Sequence, residues 1–580
     1  MKRFSYIILF LMAGHLWSQS IDVKWSERMM YDNKLDGFFS QFIGANSKYT
    51  YAKFNHKGYG GINSDKRIKL VAFNRDGMSR VAEARIYGYV PDKQKDDMRY
   101  YRTLVLENLI YILWTKEEKG VIEIYAETFD NKLSRISKLK KIYEINSSKK
   151  ATDNLLIVNN GKIGNKIIIG REFAVTKEGE NLRLEYKLIN EDLSLVNSGQ
   201  VTLPIIITKN RRSDNSATLI CTYEQGNDGY LYVKDMVKVS DEEKKSLRKG
   251  EASVYPVLIQ IAPETGDMKY FNIKFKDKNT FNFSWIVTKS TVRLYGFFSD
   301  LEKDPKGKDT HGIFYMTCES RNFSIEEPKF TYFDRAFLDK LYASDKEDQK
   351  QGGAFQNKKA KASDMESIDD NYVIESVFTE GGNTLLFCTI MRNWQQTTCT
   401  TGPNGSQNCV THYYCTKRNI TAFKFDVNGN MVWASNLDRI KTYSGWNIPD
   451  LSVISEKNKY YAVYGSEYRA NSEKKNSRSR KSRKEVRDRL EYAVFEGNSG
   501  DYKKTEYQVN NLGTKPENAK YVSATNIWIY DNQMFTECAN LKNKPGVYFS
   551  CLCPPLYIIF ANSGNFKKGN GFMGTISPSN

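Results

Sequence analysis

The sequence predicts an all-β fold: a β-propeller of about eight four-stranded blades, with seven possible. Three observations predict it. A hairpin turn of one chemistry recurs eight times, each turn is flanked by strand-like runs in sets of four, and insertions gather at one end of the units. Two or three β-sandwich domains would show short strands at similar spacing. Separate sandwiches would not be expected to repeat the same turn eight times.

The turns follow an apolar strand end and precede a more charged strand. They read Phe73-Asn-Arg-Asp-Gly77, Phe129-Asp-Asn-Lys132, Ile189-Asn-Glu-Asp192, Ile261-Ala-Pro-Glu-Thr-Gly266, Cys318-Glu-Ser-Arg-Asn322, Phe425-Asp-Val-Asn-Gly429, Phe495-Glu-Gly-Asn-Ser-Gly500 and Phe560-Ala-Asn-Ser-Gly564. Asn, Asp and Gly tolerate the positive φ that tight hairpins demand, so each copy predicts a hairpin.

Two further strand-like runs precede each turn. The seventh unit runs 451–455, 460–465, 490–495, turn, 503–509, and the second runs 103–107, 109–114, 121–129, turn, 133–142. The first two runs are the most apolar and the last the most polar, as in a blade whose inner strands line the core and whose outer strand is half solvated. The predicted blades are 36–91, 102–144, 153–204, 216–276, 280–332, 370–440, 448–510 and 519–568, with 569–580 a polar tail.

In such a blade the connections between strands one and two, and three and four, leave at one end. Those between two and three, and between blades, leave at the other. The first kind are short throughout, whereas the second kind carry 56–67, 236–255, 299–311, 392–418 and 467–489 between strands, and 331–370 between blades five and six. Loops borne on one face of a rigid scaffold are where binding usually resides.

Three insertions have readings of their own. The stretch 472–489 carries Lys474, Lys475, Arg478, Arg480, Lys481, Arg483, Lys484, Arg487 and Arg489 against Glu473, Glu485 and Asp488, a balance of nine minus three, or +6. It reads as a basic arm for an anionic partner, or equally as a solvated loop with none. In the second, Cys399 and Cys409 flank the tip 400–408 symmetrically, so a disulfide would staple the hairpin. Cys538 and Cys551 flank a similar tip at Lys544-Pro545-Gly546 and are a second candidate pair, while Cys221 and Cys318 fall in apolar strands and read as buried small hydrophobes. The gaps around Cys388, Cys399, Cys409 and Cys415 lack the paired short spacing of zinc knuckles. In the third, 333–342 has Phe333, Phe337, Leu338 and Leu341 at helical spacing, and a second short helix is expected over 241–248 with Ser240 at its start.

The chain opens with Lys2-Arg3, an apolar run from Phe4 to Met12 and small polar residues through Ser20, the pattern of a cleavable export signal. Cleavage after Ser18 or Ser20 would place the rest outside the cytoplasm, periplasmic or at the cell surface. Loss of Lys2 and Arg3 takes the formal charge from +18 to +16. In that compartment such a charge points to a protein or anionic glycan partner of the envelope, with nucleic acid disfavoured. No later run is long enough to span a membrane.

No nucleophile elbow, phosphate loop, dinucleotide fingerprint or metalloprotease motif occurs, so no cofactor and no metal are expected. After the signal only His56, His311 and His412 remain, in or beside loops of the insertion-bearing end and in blades one, five and six. Paired acids for glycoside hydrolysis leave no linear motif, so a glycan-acting hydrolase or lyase with carboxylates at the central channel stays open.

The run Phe425 to Trp433, an apolar strand end, Asp-Val-Asn-Gly and then Met-Val-Trp, together with the leader ending in Ser-Gln, resembles exported β-propeller-like proteins of the Bacteroidetes with no assigned function. The resemblance implies a periplasmic or surface location and carries over no catalytic residue. The function it leaves is a non-catalytic binding or scaffold protein of the cell envelope.

Overall fold

The computed structural model describes residues 21–27, 29–31, 38–57, 65–87, 97–146, 155–159, 166–173, 181–206, 221–226, 228–239, 241–247, 249–288, 290–307, 309–341, 372–401, 407–445, 450–469, 486–507, 527–530, 533–543 and 566–578. The described residues fold into eight antiparallel sheets in chain order. Seven are continuous in sequence: Phe38–Tyr87, Arg99–Asn146, Leu155–Ile206, Thr222–Asn272, Lys278–Tyr332, Tyr372–Ser444 and Leu451–Tyr507. We number these blades one to seven.

The sheets close into a ring, and the fold is a β-propeller. The first strand of blade one lies against that of blade two, that of five against six, six against seven, and seven against the Ile527–Tyr530 strand of the eighth sheet, which returns to blade one. Apolar clusters fill the gaps between neighbouring sheets. Ile110, Ile112 and Trp114 of blade two pack with Ile68 and Leu70 of blade one, and Phe387 of blade six packs with Tyr460 and Phe495 of blade seven. Burial of alternate faces of Ile, Val, Tyr and Phe-rich strands drives this packing.

The eighth blade corrects the sequence reading. Its strands are Ile527–Tyr530, Gln533–Asn543 and Phe566–Pro578, so 569–578 of the expected tail is most of a central strand. Its outermost position is filled from the other end of the chain: Ile21–Trp25 pairs with Pro578 back to Gly574, and Met29–Tyr31 pairs further along the same strand. Blade two also differs, since its fourth strand is Lys140–Asn146 rather than 133–142. Ser134, Arg135 and Ser137 belong instead to the preceding turn, where Ser137 accepts the Thr128 amide hydrogen at 2.9 Å.

The recurrent turn follows expectation in three blades and departs from it in four. Its Asn or Asp makes a side-chain turn: Asp130 Oδ1 accepts from the amides of Lys132 and Ser134, and Asp426 Oδ1 from those of Asn428 and Asn430. The expected positive φ falls on the turn's own Gly266, Gly429 and Gly500 in blades four, six and seven, and one residue past the expected turn, on Met78, Leu133, Leu193 and Phe323, in blades one, two, three and five. A side chain there costs about 1–2 kcal/mol of backbone strain. Met78, Leu133 and Leu193 offset it by burying their side chains in the gap to the previous blade. Where the residue is Gly429 or Gly500, the previous blade's Tyr315 or Trp433 occupies that space instead.

The same turns are latched by hydrogen bonds. Tyr51 Oη donates to the Asn131 carbonyl (2.9 Å), Tyr111 Oη to Asn190 (3.2 Å), Asn197 Nδ2 to Glu264 (2.7 Å), Gln260 Nε2 to Ser320 (2.7 Å), Tyr315 Oη to Val427 (3.4 Å) and Trp433 Nε1 to Gly497 (3.0 Å). Between the eighth blade and the first, Arg75 of the turn bonds Gln533. The eighth blade has no covalent turn at this place, because there Pro578 meets Ile21.

Candidate binding face

The connections between strands one and two, and three and four, stay short in every described blade, the longest lying between Phe129 and Lys140. The opposite end carries the long connections, among them those between Lys238 and Val254, Arg469 and Val486, and Tyr332 and Tyr372. Blade two is the exception, closing at that end with the two-residue turn Lys119-Gly120, both at positive φ. The helix Asp241–Ser246 and a helix over 335–341 sit at this end. Asp334 caps the second by accepting from Phe337 N at 2.7 Å, and Phe337, Leu338 and Leu341 are buried against Phe423 and neighbours of blade six.

The most prominent element is a hairpin of blade six. Strands Asn383–Thr401 and Gln407–Phe425 pair along their whole length, while the first strand stops opposite Ile390 and the fourth opposite Tyr414. Beyond that, the seven pairs from Gln395↔Tyr413 to Thr401↔Gln407 have no other described strand beside them, apart from a bond from Gly445 N to the Tyr413 carbonyl. At about 3.4 Å per residue these pairs span a finger about 20 Å long. The expected disulfide is present, Cys399 to Cys409, directly opposed near the tip. Trp394 stacks on Tyr414 at its base (centroids 4.4 Å) and donates Nε1 to Thr416.

The finger is rooted in buried charge. Lys417 Nζ contacts Glu375 (2.6 Å) and Asp450 (3.0 Å), and Asp450 also receives Arg439 Nη1 (2.7 Å) and Tyr443 Oη (2.7 Å). The side chains of Asp450 and Arg439 are fully buried. Such a network joins strands of blade six to the start of blade seven and fixes the direction in which the hairpin leaves the disc. Removing one partner from a buried pair typically costs about 3–5 kcal/mol, because the other charge is then uncompensated. In sequence these residues look like solvated charges, and only their spacing in the folded sheet reveals them.

A second polar cluster lies between blades three and four. Glu172 Oε1 accepts from Cys221 N (2.9 Å) and Tyr223 Oη (2.7 Å), and the Cys221 thiol lies 3.8 Å from Asp235 Oδ2. Burial pushes the Cys221 thiol and the Tyr223 hydroxyl well above their ordinary ranges, with the two carboxylates adding to the effect on Cys221. Cys221 and Cys318 are buried thiols, as their apolar settings predict, and so are Cys388 and Cys415.

Of the basic arm, Arg487 and Arg489 lie in the strand Val486–Glu496, opposite Tyr468 and Ser466. Lys474, Lys475, Arg478, Arg480, Lys481, Arg483 and Lys484 lie outside the described residues, as does Cys551. Cys538 stands opposite Phe572 in the eighth sheet. His311 is a core residue whose Nδ1 accepts from Asp300 N at 3.2 Å, and burial lowers its pKa. His412 lies on the finger opposite Gln396, and His56 pairs with Arg67. Among the described residues no three His, Cys, Asp or Glu side chains cluster to hold a metal, and no helix is long and apolar enough to cross a membrane.

No family model matches the sequence, and no curated protein matches it. Solved structures that are similar include the β-propeller domain of the Trilobed protease from Pyrococcus furiosus, at 9% identity and TM-score 0.35 over 83% of this chain and 98% of that one. The WD40 domain of SCAP from fission yeast is similar at 7% identity and TM-score 0.33 over 94% and 98%. An exo-1,5-alpha-L-arabinanase from a bovine ruminal metagenomic library is similar at 12% identity and TM-score 0.24 over 61% and 96%.

Proposed function

We propose that this chain is an exported cell-envelope propeller that binds without catalysis, engaging a protein or acidic glycan through its loop-bearing end. The finger of blade six carries the reading. A two-stranded ribbon without a covering sheet is marginal in water. Here it is held by a disulfide at its tip and a buried charge network at its root. A fold that rigidifies a projecting element at both ends gains reach towards something outside itself. The basic stretch 472–489, on the next blade, supports an anionic partner, and the leader at 1–20 supports the location.

The test is retention of the mature protein on native envelope fractions, compared with a variant in which 395–413 is replaced by a two-residue turn. Retention should fall at least tenfold, and equal retention would remove the finger from the mechanism. Removing 472–485 should reduce the salt dependence of retention. The second reading, a glycan hydrolase or lyase, draws on Glu172 and Asp235 converging on Cys221. Release of new reducing ends or unsaturated products by the wild type, abolished by Asp235→Asn, would establish it instead.

A further inference from the structure

The inner wall of blades four to six is broken by two irregularities. The first strand of blade five slips register between Phe281 and Ser284, and that of blade six between Ile374 and Ser376. Asn282, within the first slip, has φ 45° and donates Nδ2 to the Tyr372 carbonyl at 2.8 Å, bridging the two blades. Strained backbone of this kind is held only where the surroundings over-determine it, and bulges re-aim side chains next to sites. Beside it opens a cavity of about 290 Å³, lined by Thr222, Lys234, Asp235, Asn282, Phe283 and Ser284 among others. That is the size of the smallest ligand pockets, enough for one compact polar unit.

Lys234 defines what can enter. Its ammonium stands over the rings of Phe283 (4.7 Å) and Trp285 (5.5 Å) and donates to the Phe283 carbonyl. An ammonium has three N–H donors, and among the described residues this bond uses one. Burial lowers its pKa, the mark of a cation short of solvation. The adjacent Asp235 points to the other face of the strand, where its carboxylate meets Cys221 and the Met236 amide, so Lys234 is the charged side chain that the lining turns towards the opening. Ser284 and Thr222 add hydroxyls that have no hydrogen-bond partner among the described residues.

This set matches a ligand with one negative charge and several hydroxyls. A phosphate group would bring up to two charges to the one cation, Lys234, and a neutral sugar would leave the Lys234 donors unused. We infer that the cavity binds a uronic acid residue, its carboxylate on Lys234, its ring hydroxyls on Ser284 and Thr222, and its ring against Phe283. The inference rests on the binding reading above and narrows its partner to an acidic glycan.

Calorimetric titration of the mature protein with D-glucuronate and D-galacturonate, and with D-glucose as the neutral control, tests it. At least one uronate should bind and glucose should not. Lys234→Gln should weaken the uronate at least tenfold, and Ser284→Ala severalfold with the fold unchanged by circular dichroism. If Lys234→Gln fails to fold, Ser284→Ala alone decides. Absence of uronate binding, equal binding of glucose, or unchanged affinity in a folded variant would overturn the inference. The finger-trimmed protein should keep its uronate affinity, so failure of this site and failure of envelope retention are read separately.

Discussion

Removing the finger disulfide by Cys399→Ser with Cys409→Ser should melt the finger and leave the disc intact. The bond closes a span with a sequence separation of 10. On the chain-entropy relation a loop of that size contributes about 2.7 kcal/mol at 25 °C, equivalent to about a hundredfold in the opening equilibrium. The ribbon it holds has no described strand on either flank along most of its length, and its side chains from Gln395 to Thr400 are exposed. The exposed Thr397–Thr411 hydroxyl bond (2.9 Å) contributes about 1 kcal/mol at most, less than the disulfide. Hydrogen exchange resolved by residue is the assay. Amides bonded across 395–401 and 407–413 should exchange about a hundredfold faster, while those of Leu385–Phe387 and Ala422–Phe425 keep their protection. The midpoint of global thermal unfolding should move by no more than about 2 °C, since the ring does not depend on the tip. Unchanged protection in the finger would show that its stability comes from its strands and would refute the reasoning.

Two further outcomes follow from the core. Gly429→Ala places a Cβ 1.7 Å from the Tyr315 ring at a φ of +78°, so strain and overpacking together should cost about 2–5 kcal/mol in denaturant titrations. Tyr315→Leu in the same chain should restore part of that loss, and full additivity of the two changes would contradict the packing described. His311 is held below the ordinary histidine pKa chiefly by burial, so its neutral form is the one that fits the fold. Its share of stability is complete above the unfolded value of about 6.5 and is lost as pH falls through the lower folded value. His311→Asn, which keeps an acceptor towards Asp300 N, should lose less stability than wild type between pH 7 and pH 5 in thermal melts. Parallel curves would count against it.

Much of the architecture was legible because its signals are local. The Asp-Val-Asn-Gly turn after Phe425, the apolar runs at 460–465 and 490–495, and Cys399 and Cys409 placed symmetrically about a Pro- and Gly-containing tip all act over a few residues. What was not legible depends on partners far away in sequence. The alternating IDVKW at Ile21–Trp25 reads as a strand only once Pro578 to Gly574 is known to lie beside it. Leu133 reads as part of a strand in the sequence, because an apolar residue after a turn usually begins one. Here it is the left-handed plug against blade one. Lys417, Arg439 and Asp450 carry no pattern that separates a buried network from a wet surface. The cavity beside Lys234 lies at two register slips, which sequence periodicity does not mark.

The closure of the ring by both chain ends has a kinetic consequence. Seven blades are built from contiguous sequence and can form as they emerge, but Ile21–Trp25 has no partner until Phe566–Pro578 has been made. Bringing together ends separated by more than five hundred residues carries a loop-closure entropy that grows only logarithmically with length. The earlier blades also shorten the effective search by holding the ends near each other. The final pairing is therefore a completeness check. A chain stalled or clipped anywhere before Phe566 leaves an open arc with a bare sheet edge at each side, which exposes it to proteolysis and strand-pairing aggregation.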